Sequence, residues 1–144
     1  DAGGGKSTSE GDFSLLQLLP GEEIPVYTYA AGPLAQPCSI SGVIDDLSSD
    51  PNMPAAFRID EERMEWTVQI SADGLSADIS FLFDAALADE REAENVNILA
   101  AAYNASGEVI GERSMIGSFY PDLSVTVYSL SGTIDSVKTW VELY

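Results

Sequence analysis

From Phe13 onward, apolar and polar side chains alternate in short runs that read as strand after strand. In Met64-Glu65-Trp66-Thr67-Val68-Gln69-Ile70-Ser71 every second residue is apolar, the period of a strand with one buried face. Ala72-Asp73-Gly74-Leu75 follows, and its Asp-Gly pair predicts a tight hairpin. The next strand sets Ile79, Phe81 and Phe83 on one face and Asp78, Ser80 and Asp84 on the other. Val96 to Tyr103 is joined through Asn104-Ala105-Ser106-Gly107 to Glu108 to Ser114, a second predicted hairpin. Leu123, Val125 and Val127 alternate with Ser124, Thr126 and Tyr128. Val137, Thr139, Val141 and Leu143 alternate with Lys138, Trp140, Glu142 and Tyr144.

The amino-terminal part is less regular. Residues 15–19, 26–30, 39–44 and 55–59 fit strands, but Pro20, Pro25, Pro33, Pro37, Pro51 and Pro54 lie among them. Proline lacks an N–H and confines such strands to edges and short pieces. The one helical expectation falls in Asp84 to Asn95, where Ala and Glu accumulate. About nine short strands, closely spaced turn signals and at most one short helix predict an all-β sandwich of two antiparallel sheets. Residues 1–12, DAGGGKSTSEGD, hold only small, polar or charged side chains and read as a flexible tether. Residues 13–144 then form one β-sandwich domain, a size that one core can serve.

Composition narrows the chemistry. The 144 residues carry 24 acidic and 6 basic side chains, a formal charge of −18. That field repels phosphate backbones and anionic lipid, so neither nucleic acid nor a membrane surface is expected as a partner. No apolar run approaches the roughly 20 residues of a membrane-spanning helix. Histidine is absent, which rules out Ser–His–Asp and Cys–His catalysis and imidazole metal sites within the chain. The single Cys38 forms no internal disulfide and fits a small buried hydrophobe better than a nucleophile. Gly5-Lys6-Ser7 matches the end of a P-loop, but the leading glycine and the preceding strand are missing.

The run from Val96 to Gly111 ends a strand in Ala-x-Tyr, turns through Asn and Gly, and resumes with the apolar pair Val109-Ile110. Val137-Lys138-Thr139-Trp140 then opens the last strand. Together these stretches resemble immunoglobulin-like β-sandwich modules of surface and secreted proteins, lipoproteins included, of clostridia-type Gram-positive bacteria. The likeness covers roughly the last 50 residues and consists of hairpin patterns. Those modules follow the Lys with a second aromatic, where this chain has Val141-Glu142. The resemblance implies an extracellular spacer, adhesive or protein-interaction module, and it supplies no catalytic residues. It also implies a cell-surface location; the tether is similar to those that follow the lipid-modified cysteine of bacterial lipoproteins.

Four groups of residues stand out. Asp45, Asp46 and Asp50, with Ser48, Ser49 and Asn52, supply hard oxygen ligands suited to Ca²⁺, although the same residues also serve turn geometry. Asp89, Glu90, Glu92 and Glu94 read as a solvated face, and Asp60, Glu61 and Glu62 beside Arg58 and Arg63 as a turn with local ion pairs. Tyr103, Tyr128, Trp140 and Tyr144 have the parity opposite to the core in their strands. An outward aromatic row of this kind would stack on sugar rings or on a partner protein. For Trp140 a reversed register, with the ring in the core, is the alternative. Trp66, in step with Val68 and Ile70, is expected in the core. A glycosidase would need two carboxyl groups set across a cleft, and the small size argues against one. The expected role is a non-catalytic extracellular module without a cofactor, calcium excepted. The alternative is a carbohydrate-binding module using the aromatic row.

Overall fold

The computed structural model describes residues 21–25, 57–59, 61–84, 86–87 and 94–144. They hold seven strands: β1 (Phe57–Arg58), β2 (Met64–Ile70), β3 (Ser76–Phe83), β4 (Asn95–Tyr103), β5 (Val109–Ser118), β6 (Asp122–Tyr128) and β7 (Ser136–Leu143). All pairs are antiparallel. One sheet has the order β1-β7-β4-β5 and the other β2-β3-β6. We refer to these as the four-stranded and the three-stranded sheet. The six strands from β2 onward fall where the alternation predicts them. Of the amino-terminal strands, that at 55–59 contains β1, and those at 15–19, 26–30 and 39–44 lie outside the described residues, as does the tether. In the stretch expected to be helical, Ala86 and Leu87 are helical, and most of the rest also lies outside them.

Both predicted hairpins form, for reasons visible in their turns. Asp73 accepts hydrogen bonds from the Ser71 hydroxyl (2.7 Å) and the Leu75 amide (3.0 Å), and Gly74 takes a φ of 69°. In the second turn, the Asn104 side-chain oxygen accepts from the amides of Ser106 (2.9 Å) and Glu108 (3.0 Å), and Gly107 takes a φ of 77°. Positive φ costs a glycine little, which is why glycine holds these two positions. Asn104 therefore acts as the turn former that the sequence suggests.

The sheets share one core. The four-stranded sheet contributes Val96, Ile98, Ala100, Ala102, Ile110, Val141 and Leu143; the three-stranded sheet contributes Ala77, Ile79, Phe81, Phe83, Val125 and Val127. Phe81 and Phe83 stack with centroids 5.8 Å apart, and Phe119 closes on Phe83 at 5.4 Å. The β4–β5 register shifts between Ala102 and Tyr103, and just past β6 the Leu130 amide donates to the Ile110 carbonyl at 2.7 Å. Gly111 is required next to it, because a Cβ there would run into the Tyr128 carbonyl.

One expectation needs correction. Trp66 has the inward parity, opposite Phe81, but it sits on the edge strand β2 and is 38% exposed. An edge strand is covered from one side only, so parity alone does not bury it. Of the acidic turn expected to pair with Arg58 and Arg63, Asp60 and the Glu61 side chain lie outside the described residues; Arg63 reaches Asp84 at 2.9 Å, and Arg58 reaches Glu22 at 2.7 Å and Glu142 at 3.7 Å.

Candidate functional site

The outer face of the four-stranded sheet, away from the shared core, is where the structure departs most from the sequence reading. Leu99, Ala101 and Trp140 form a second apolar cluster there, with Ile24 and Tyr103 packed against it. Beside it lie Asn97 and Glu142, both buried and directly opposite each other across β4 and β7. Glu142, only 2% exposed, also stands opposite Arg58 in β1. The Arg58 guanidinium donates two bonds to Glu22, at 2.7 and 3.2 Å, so the stretch 21–25 is tied to this face by an ion pair as well as by Ile24. Burying Glu142 requires such a cation, because a carboxylate out of water without one is costly.

The four aromatic candidates are therefore not one exposed row. Trp140 does point away from the shared core, as its parity requires, but it is 7% exposed because the second cluster covers it. Tyr103 lies half-buried in the same cluster, with the Lys138 ammonium 5.3 Å from its ring centre. Burial, then the charges of Glu112 and Glu23, push the Tyr103 phenol above its ordinary pKa. Tyr128 is 65% exposed, but on the outer face of the three-stranded sheet, away from Trp140. Tyr144 is half-buried at the end of β7, where it pairs with Asn95 through two backbone bonds of 2.9 and 3.0 Å. Asp45, Asp46 and Asp50 lie outside the described residues. Among the described residues no cluster of three acidic or Cys side chains is placed to hold a metal.

Next to Trp140 the structure opens a cavity of about 620 Å³. Its origin is topological. β1 runs beside β7 for two residues only, and after Ile59 the chain crosses through a 3₁₀ turn at Glu61–Arg63 to β2 in the other sheet. Among the described residues, no strand fills the space that a longer β1 would take, and the cavity lies along it. Residues Val137 to Val141 form one wall, and Ile59, Met64 and Trp66 on the crossing form another. Glu22, Glu23 and Arg58 stand at its rim. The volume is that of an ordinary ligand site.

The backbone of β7 is also poised toward this space. Tyr144 exchanges bonds with Asn95 in β4, while the Val141 carbonyl accepts from the Ile59 amide on the opposite flank at 3.1 Å. Antiparallel pairing alternates strictly, so the even-numbered residues of β7 bond to β4 and the odd-numbered ones face the β1 side. Val137 and Thr139 thus direct N–H and C=O toward the cavity, and among the described residues no strand takes up the lane beyond Arg58. Sequence reasoning missed Arg58, Glu22, Glu142 and Thr139 as site residues. One signal was present: Ile98-Leu99-Ala100-Ala101-Ala102 is apolar on both parities, the mark of a strand buried on both faces.

Fold and site define an all-β domain of two antiparallel sheets around one core, with a cavity along one flank of its last strand. No protein-family model, curated protein or solved structure matches the chain. Among the described residues, no helix is long and apolar enough to cross a membrane.

Proposed function

We propose that the chain is a non-catalytic, immunoglobulin-like β-sandwich module of a bacterial surface protein, and that it engages a protein partner through the cavity beside β7. The observation that carries this reading is the strand pairing. An immunoglobulin sandwich places its second strand beside its fifth in one sheet, and its third beside its sixth in the other. Here β3 pairs with β6 and β4 with β7, on opposite sides of the shared core. β2 then corresponds to the first strand, and β1 occupies the lane of the seventh, although it precedes the others in the chain. A rigid sandwich whose described residues fill only part of the seventh lane offers a binding edge without needing catalytic groups. The test is an array of cell-envelope and host-matrix proteins, with glycans spotted alongside. Saturable binding to a protein, with every arrayed ligand left intact, is expected. Cleavage of any arrayed ligand would overturn the non-catalytic reading.

One observation favours carbohydrate binding as a second reading. Trp66 and Trp140 line the same cavity, and Trp66 leaves part of its ring in solvent. An exposed indole beside carboxylates and a guanidinium is suited to a sugar ring. Under this reading, glycan binding on the same array is lost in Trp66→Ala. The platform then consists of Trp66 with Trp140, and not of the row Tyr103, Tyr128, Trp140 and Tyr144.

A further inference from the structure

We propose that the lane beside β7 takes up an extended, cationic segment of the partner as an added strand, an inference that rests on the protein-binding reading above. Three features of the structure support an added strand. First, the lane is already a strand position. β1 occupies it opposite Glu142 and Leu143, and the Ile59 amide still bonds the Val141 carbonyl at 3.1 Å before the chain departs. Second, Val137 and Thr139 continue the same hydrogen-bonding edge. An incoming strand would find their N–H and C=O groups at the ladder spacing, which is the basis of strand addition. Third, the lane has room and a floor. The cavity of about 620 Å³ lies along these residues, with Trp66 and Met64 able to receive side chains of one parity.

Charge selects the segment. The chain carries −18 overall, and Glu23 lines the cavity beside the Arg58–Glu22 pair. The two cations nearby are engaged: Arg58 with Glu22 and Glu142, and Lys138 over the ring of Tyr103. Basic side chains at the solvent-facing positions of the added strand would be drawn to this field, and the attraction would speed association at low salt.

The probe is an end-blocked peptide of about ten residues alternating Lys and Val, long enough to cover the flank. It is titrated into the full chain by calorimetry and by Trp fluorescence. A second peptide has the same sequence but is N-methylated at alternate residues, so that its side chains remain while its ladder donors are lost. The expected result is saturable binding of the first peptide and at least roughly tenfold weaker binding of the second. Thr139→Pro removes an N–H that faces the cavity and spares every bond to β4, so it should fold and also bind at least about tenfold more weakly. Equal binding of the two peptides, or no binding of the first, would overturn the strand-addition proposal; the peptide pair decides this even if the Pro variant fails to fold. A protein hit on the array without peptide binding would remove this lane and leave the interaction module standing. Blank protein spots beside a glycan hit lost in Trp66→Ala would remove both in favour of the sugar reading.

Discussion

The outer faces of the two sheets have opposite fates in the structure. On the three-stranded sheet, Thr67, Ser80 and Ser124 lie in one row across β2, β3 and β6, with Gln69, Asp78 and Thr126 in the next. This face is polar and in water; Thr126 and Asp78 bond at 2.7 Å in the open. On the four-stranded sheet, the equivalent positions of β4 and β7 hold Leu99, Ala101, Trp140, Asn97 and Glu142, all buried. The difference shows that parity tells which face a side chain takes, whereas burial depends on what covers that face. β3 alternates strictly between buried and exposed, while β4 is buried at seven consecutive positions. The second pattern is that of a strand between two layers.

The sharpest way to break this contrast is to truncate one aromatic on each face. Trp140→Ala should cost about 3–5 kcal/mol of unfolding free energy, as for a large buried side chain. Tyr128→Ala should cost no more than about 0.5 kcal/mol. Equal losses in urea unfolding would show that the two faces are alike. The buried ion pair comes next. Arg58→Met removes a cation from beside the buried Glu142 and should cost about 3 kcal/mol, while Arg58→Met combined with Glu142→Leu should recover much of that loss. A double-mutant cycle in denaturant reads this coupling directly.

A smaller effect tests the cover itself. Ile24→Ala removes one half-buried contact with Trp140 and should cost about 1 kcal/mol, with a red shift of the Trp emission as water reaches the cluster. The smallest effect is electrostatic. Burial raises the Glu112 carboxyl above its ordinary pKa, so the folded chain holds that proton more tightly than the unfolded chain does. This contribution is fully present below the ordinary carboxylate value of 4.5 and is lost as pH rises through the folded value. Glu112→Gln should therefore raise stability slightly near neutral pH, by less than about 0.5 kcal/mol for so solvated a site, and leave it unchanged in acid. A matched pair of thermal melts at the two pH values checks this.

Much of the sheet architecture was legible in the sequence, because it follows from local patterns. Asp73-Gly74 and Asn104 to Gly107 set the two hairpins, and the alternation from Met64 to Leu143 placed six strands. The cavity was not legible, because it arises from a crossing. Nothing local to Phe57–Ile59 indicates that the chain leaves β7 after two residues, or that Glu22 returns to meet Arg58. Glu22 and Glu142, which Arg58 reaches, are far from it in the chain, so charge patterning near it could not point to them. Trp66 was assigned to the core on parity that was correct; its exposure follows from the edge position of β2, which is a property of strand order.

The cavity and the proposed strand addition depend on β7 being bonded along one flank by β4 and, on the other, meeting no described strand beyond Ile59. Amide hydrogen exchange residue by residue along β7 tests this most directly, since protection reports which N–H groups are bonded. The amides of Lys138, Trp140 and Glu142 should be strongly protected by β4, while those of Val137 and Thr139 exchange fast. Protection of Val137 and Thr139 equal to that of Trp140 would mean that the lane is already filled, and would contradict the account.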